Sequence, residues 1–166
     1  MAESATPKVR RDGTLVVQDS GAANSYTIQY VDGDLSFTDS VADRVVIRKR
    51  GNIYAVRRGD TPVLTATFTA HFHEFRNGSS VTLWDALRGV NGASSWTSVA
   101  ASSFTDFDHM NDFVFTVEGS DFGESADGTA TLNRCLVTDI AFSEGDPSQA
   151  SITIEIYNGI TYTGQA

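Results

Sequence analysis

Apolar and polar residues alternate along most of the chain with a period of two. Between positions 62 and 75, Leu64, Ala66, Phe68, Ala70 and Phe72 interleave with Thr65, Thr67, Thr69, His71 and His73. A strand sends successive side chains to opposite faces, so this run predicts a long strand with one apolar and one polar face. The same pattern returns at 151–157, where Ile152, Ile154 and Ile156 oppose Thr153, Glu155 and Tyr157. Tyr26, Ile28 and Tyr30 mark a strand at 25–30, and Phe113, Phe115 and Val117 mark another. At 132–142 the alternation fails, because Leu136 and Val137 are adjacent apolar residues. That pattern suits a strand covered on both faces.

Turn residues separate these runs. Asp32-Gly33 lies between 25–31 and 34–38 and predicts a hairpin. Gly51-Asn52 divides 45–50 from 53–58 and predicts a second hairpin, extended as an arm. Glu144-Gly145-Asp146-Pro147 folds 131–157 into a third, long one. One segment breaks the period. Val81, Trp84 and Leu87 recur at three-residue spacing, with Leu83 beside them, after a possible N-cap at Ser79 or Ser80 and before Gly89. This predicts a short helix at 81–88 packed on a sheet. The stretches 89–111 and 120–128 are Gly/Ser/Asp-rich loops, long for a small domain. The expected architecture is mainly β. It is a single domain over 1–166, an antiparallel sandwich or barrel of seven or eight strands, with one short flanking α-helix and a long extended hairpin arm. Residues 1–13, polar and charged, are expected to form a mobile N-terminal arm.

A chain of 166 residues can bury a core without disulfides or metal. Hydrophobic residues at 40% argue against a disordered chain. Cys135 is the single cysteine. It sits inside a strand pattern, so it is expected to be a buried, inert thiol. No apolar run reaches the roughly 18 residues of a membrane helix, and none of signal-peptide length follows Lys8, Arg10 and Arg11. The product is therefore expected to be soluble, made in the cytoplasm and not membrane-bound.

Candidate chemistry is sparse. His71 and His73 share a strand face at a spacing that can chelate a metal, yet no third ligand stands nearby on that face, and two surface histidines are the favoured reading. Asp106, Asp108, His109 and Asp112 cluster in a loop, but a calcium loop counted from Asp106 would need Gly and Glu where Asn111 and Val117 stand. There is no nucleophile elbow, Walker loop or dinucleotide fingerprint. Arg58-Gly59-Asp60 spells an adhesion tripeptide, too short to argue from. Neither catalysis nor a cofactor nor a metal is expected.

Charge changes the picture more. The net charge is −9, and so acidic a chain does not hold a nucleic-acid backbone by releasing counterions. The charge is also unevenly spread. Arg44, Arg48, Lys49, Arg50, Arg57 and Arg58 crowd onto the 44–58 hairpin with no acid among them, whereas 101–166 carries eleven acids and the single base Arg134. Asp121, Glu124, Asp127, Glu144 and Asp146 lie in its predicted loops and turns. A basic arm of this kind suits an acidic surface on another copy of the chain.

The string VRRGDTPVLTATFTAHF at 56–72, the helix string TLWDALRG at 82–89, a loop with Trp96, a strand ending in Glu118-Gly119, and the closing hairpin LVTDIAFSEGDPSQASITIEIY at 136–157 together resemble the major tail tube proteins of long-tailed, non-contractile bacteriophages. The related tubes of contractile tails and type VI secretion share that fold. The resemblance covers roughly residues 25–163 and implies a structural virion protein, assembled in the bacterial host cytoplasm and located in the tail. Six copies would form a ring, and rings would stack into a hollow tube that delivers DNA without binding it specifically. Tape measure, terminator and distal tail components would be its other partners. The basic and acidic residues named above would meet between subunits, and Thr65, Thr67, Asp139, Thr153 and Glu155 are candidates for the lumen face. A carbohydrate- or receptor-binding β-sandwich module is the alternative, for which Trp96 is the one candidate exposed aromatic.

Overall fold

The computed structural model describes residues 13–31, 34–75, 80–100, 109–118 and 126–164. In chain order its elements are β1 (Gly13–Gln18), β2 (Ser25–Ile28), β3 (Ser36–Phe37), β4 (Arg44–Lys49), β5 (Asn52–Arg58), β6 (Leu64–His71), α1 (Leu83–Arg88), β7 (Met110–Val117), β8 (Gly128–Ser143), β9 (Gln149–Ile156) and β10 (Ile160–Thr163). The mainly-β, antiparallel architecture with one short helix is as expected. β1 and β10 are additional to the strands anticipated from the pattern.

One sheet runs β2-β1-β7-β8-β9-β6-β3, with β10 paired to β8, and every neighbouring pair is antiparallel. The two ends of this path meet. After leaving β1 at Ile28, the chain crosses to β6: His71 N donates to Gln29 O and Val31 N to Thr69 O, both at 2.7 Å, and Tyr30 bridges Ala70. Residues 25–28 therefore lie along β1, and 29–31 and 36–37 along β6, closing the sheet into a barrel. The anticipated 25–31/34–38 hairpin does not form. Its two flanks bond to other strands, β2 to β1 and β3 to β6, because each has an apolar side to bury against the barrel. Asp32-Gly33 itself lies outside the described residues.

The inward faces are those that the alternation marked. Leu64, Ala66, Phe68 and Ala70 are buried on β6, and their partners across the ladder are Ile156, Ile154, Ile152 and Ala150 of β9. Leu15 and Val17 of β1 pair with Phe115 and Phe113 of β7. Phe68 and Phe113 come from strands separated by β8 and β9, yet their ring centroids are 6.0 Å apart, so they meet across the barrel interior. Tyr30 packs edge-on to Phe115 at 6.4 Å and donates its hydroxyl to Gly13 O.

β8 explains its own irregular pattern. Its pairing to β7 slips by one residue between Leu132 and Cys135, where Arg134 has a φ of 56°, and its pairing to β9 slips again between Val137 and Asp139. Each bulge inserts one extra residue and reverses which side faces the core. The inward residues thus run Ala130 and Leu132, then Cys135 and Val137, then the partly buried Ile140, and Cys135, Val137 and Ile140 stand opposite Ile156, Ile154 and Ile152 of β9; Phe142, opposite Ala150, continues that side at the exposed end of the strand. Adjacent Leu136 and Val137 mark a change of phase, where two-sided burial was expected. The 131–157 hairpin forms as anticipated.

Helix α1 starts at Leu83, two residues later than the anticipated 81. Thr82 is the N-cap: its hydroxyl accepts from Asp85 N, and the Asp85 carboxylate accepts from Thr82 N, a capping box. Gly89 ends the helix in the left-handed conformation, as expected. The buried apolar residues are Leu83, Ala86 and Leu87, with Trp84 only half-buried, so the face is rotated from the anticipated Val81/Trp84/Leu87 stripe. From β7, the buried Asn111 side chain donates to Ala86 O and Leu87 O, tying the helix end to the barrel.

The described part of the loop after the helix, up to residue 100, packs on the barrel. Trp96 is 8% exposed and belongs to the core. Asp19, buried after β1, accepts from Asn24 N, Asn24 Nδ2 and Thr97 N. Burial pushes its carboxyl up, but these donors outweigh it and hold it below the usual carboxylate value. Such a group adds stability above its unfolded-state pKa and loses it as pH falls through the folded one. Asp19→Asn should therefore destabilise the protein at neutral pH, with the gap to the parent closing as pH falls through and below the carboxylate range; denaturant titrations across that range would show it. Phe68→Ala should cost about 3–5 kcal/mol at any of these pH values, and a loss under about 1 kcal/mol would mean that the Phe68 site collapses without leaving a cavity.

Candidate assembly surface

Strands β4 and β5 form a two-stranded sheet that joins neither edge of the barrel. Arg50 and Gly51 make its turn, with φ of 51° and 84°. Two successive positive φ values match the twist of a tight hairpin, which places the turn one residue before the anticipated Gly51-Asn52. A lone hairpin is at best marginal in water, and this one carries two further burdens. Arg44 stands directly opposite Arg58 in the ladder, and like charges there destabilise. Its apolar residues are also uncovered: Ile53 is 62% exposed and Tyr54 71%, with Val45, Val46, Ile47 and Val56 exposed as well.

The structure brings the six predicted bases together on this arm. Arg48 donates to Gly51 O, Arg58 to Thr61 Oγ1, and Lys49 lies over the Tyr54 ring at 5.7 Å. These contacts are all within the arm or at its foot, and none is with an acid. At the foot, Asp43 N bonds Asp60 O and Gly59 N bonds Asp43 O. A Cβ on Gly59 would come within 2.9 Å of that carbonyl, so the two legs leave the barrel in backbone contact. An open groove lined by Val41, Arg44, Val56 and Arg58 runs beside them.

Among the described residues the predicted acids do not form one surface. Glu144 and Asp146 are exposed together in the turn between β8 and β9, whereas Asp127 precedes β8 at its far end. Asp121 and Glu124 lie outside the described residues. The lumen candidates do converge. Thr65 pairs with Glu155, Thr67 with Thr153, and Thr153 with Asp139, so five side chains share one outward, polar face of β6, β9 and β8. Tyr157 donates to Glu155 Oε2 at 2.6 Å; that bond, with burial, pushes the tyrosine up to about 12.

Sequence reasoning missed an aromatic cluster at the other end of β6. Phe72, Phe75 and Phe142 have centroids 4.5, 4.9 and 5.2 Å apart, and Trp84 lies 6.0 Å from Phe142. Phe142 is nearly sixty residues from the nearest of the other three, of which Trp84 lies on α1 while Phe72 and Phe75 follow β6, so no local pattern joins the four.

The other candidate chemistries find little support. His73 Nε2 bonds Gln29 Oε1, and among the described residues no group of three or more His, Cys, Asp or Glu could hold a metal ion. His109 bonds Asn111, and Asp112 accepts from Arg134 N; Asp106 and Asp108 lie outside the described residues. Cys135 is fully buried with its thiol donating to Leu132 O, and burial pushes it far up. Trp96, being buried, offers no exposed platform to a sugar. Among the described residues no helix is long and apolar enough to cross a membrane.

Neither a protein-family model nor a curated protein sequence matches the chain. Solved structures match its fold from end to end. A chain from the extracellular contractile injection system structure described as the PVC sheath/tube terminator in the extended state is 12% identical, with a TM-score of 0.66, covering 98% of this chain and 100% of that one. A chain of the PVC sheath-tube complex is 11% identical with a TM-score of 0.60, over 96% of this chain and 93% of that one. A chain of the anti-feeding prophage baseplate, solved with 6-fold symmetry, is 12% identical with a TM-score of 0.55, over 96% of this chain and 97% of that one. The closed barrel with its flanking helix is thus a fold that this chain shares with components of contractile injection machines.

Proposed function

We propose that the chain is a structural subunit of a phage-tail-like tube, with copies arranged in six-fold rings that stack around a channel. The observation that carries this reading is the end-to-end fold match to a chain of the PVC sheath/tube terminator structure at 98% and 100% coverage. The 6-fold symmetry of the baseplate structure supports the ring size. The uncovered arm supports the need for a neighbour, because exposed Ile53, Tyr54 and Val56 gain by leaving water only when another surface covers them.

The finer placement is a non-contractile phage tail tube that delivers DNA, and it rests on the strings at 56–72, 82–89 and 136–157. In that role the polar face of Thr65, Thr67, Thr153, Asp139 and Glu155 lines the channel. Carboxylates there repel phosphates, so DNA passes without being held. The subunit carries no chemistry of its own. It meets tape measure, terminator and distal tail proteins, and it is assembled in the bacterial cytoplasm before residing in the tail. The arm engages acids on a neighbouring copy. Each exposed pair is worth about 0–1 kcal/mol, but repetition around a ring sets register and rate of assembly.

Two measurements test this. Purified protein should form rings or tubes by electron microscopy and light scattering as concentration rises, and less so at high salt. Reversing Arg48, Lys49 and Arg50 to Glu should keep the fold and slow assembly about tenfold or more; a strict monomer at high concentration would sink the reading. Duplex DNA should bind the free protein weakly or not at all even at low salt, whereas micromolar binding with a steep salt slope would contradict the channel role.

A further inference from the structure

Two incomplete surfaces on this chain are complementary. The first is the arm: an apolar centre of Val46, Ile53, Tyr54 and Val56, rimmed by bases. The second is the aromatic cluster. Phe75 is 61% exposed and Phe142 41%, a large apolar area open to water at the point where β6 and β8 end. Exposed acids flank it: Glu74 precedes Phe75, and Glu144 and Asp146 follow Phe142 in the β8–β9 turn. One surface is apolar with a positive rim, the other apolar with a negative rim. Aromatic rings also present a negative face to cations, and Arg88 already lies over Trp84 at 5.5 Å.

Their placement decides who can join them. The arm leads into β6 at Leu64, and Phe72 follows β6 at His71. Eight residues at about 3.3 Å each separate the two surfaces by roughly 25 Å. The arm of one copy is therefore at the wrong end to cover its own cluster. We infer that the arm of one copy docks on the Phe72/Phe75/Phe142 cluster of the next, its bases meeting Glu144 and Asp146, so that copies join head to tail. Different patches at opposite ends make a heterologous contact, which propagates instead of closing as a pair. This rests on the assembly reading above and names the surface that receives the arm.

The test uses two variants of the full chain. Phe75→Asp spoils the receiving patch at its most exposed ring. The triple reversal of Arg48, Lys49 and Arg50 to Glu spoils the arm. By sedimentation velocity, each alone should need about tenfold or more protein to associate than the parent does. Mixed in equal amounts, they should form heterodimers and stop there, since the mixture offers one sound arm per Phe75→Asp copy and one sound patch per reversed copy. Adding Glu144→Lys and Asp146→Lys to the arm reversal should restore growth, which also covers the case in which Phe75→Asp fails to fold. If Phe75→Asp grows like the parent, or the mixture gives no heterodimer, or the charge swap gives no rescue, the arm docks elsewhere while the assembly reading stands. If the parent itself never associates, both fall.

Discussion

Closure of the sheet by residues 25–31 and 36–37 is the constraint on which the rest depends. An open sheet of this length leaves two rows of backbone donors and acceptors for any passing strand. By pairing first with β1 and then with β6, one segment satisfies both rows and encloses the aromatic interior. The crossing needs Tyr30 at the join, where its ring seals against Phe115 and its hydroxyl reaches Gly13. Once the barrel is closed, the hairpin of β4 and β5 finds no edge to join. The separateness of the arm is thus a consequence of the closure.

The same closure sorts the residues by environment. Inside, Phe, Ile, Leu and Ala from facing strands fill the barrel, and the fully buried polar residues among those described are hydrogen-bonded: Asp19 to the 94–100 loop and its own turn, Thr82 and Asp85 to each other, Asn111 to the helix end. Outside, the polar face of β6 and β9 is exposed or half-exposed, and apolar surface is exposed chiefly at the arm and the aromatic cluster. A fold that buries its inner faces so fully, yet leaves Tyr54 and Phe75 in water, places its unfinished surfaces where another molecule can complete them.

Much of the barrel was legible in the sequence. β6 and β9 alternate cleanly because one face is dry and the other wet, and the strand period reports that contrast directly. β1 was not foreseen: Leu15, Val16 and Val17 are consecutive apolar residues in a run of six beside a polar terminus. The Asp32-Gly33 signal was read as a hairpin because turn chemistry is local, whereas the choice between a sequence neighbour and β6 is made by tertiary pairing. The helix cap was readable, since Thr82 is the hydroxyl with an acid three residues on; the Ser residues before it lack that partner. The basic arm stood out by charge, but its apolar residues look like those of any core hairpin, and nothing local says that the core lies elsewhere. The aromatic cluster depends on the ends of β6, β8 and α1 arriving at one place, which only the folded chain determines.

The paired bulges of β8 bear on how such a chain can change length. Each extra residue is absorbed at its bulge, so the inward residues on either side keep facing the core although three positions, not two, separate them. Losing one residue at a bulge would therefore restore a regular ladder and leave every later inward residue facing as it does now. Losing one anywhere else in the strand would turn the later inward residues out toward water. Sequence drift between distant chains of this fold should accordingly place its single-residue gaps at these two points.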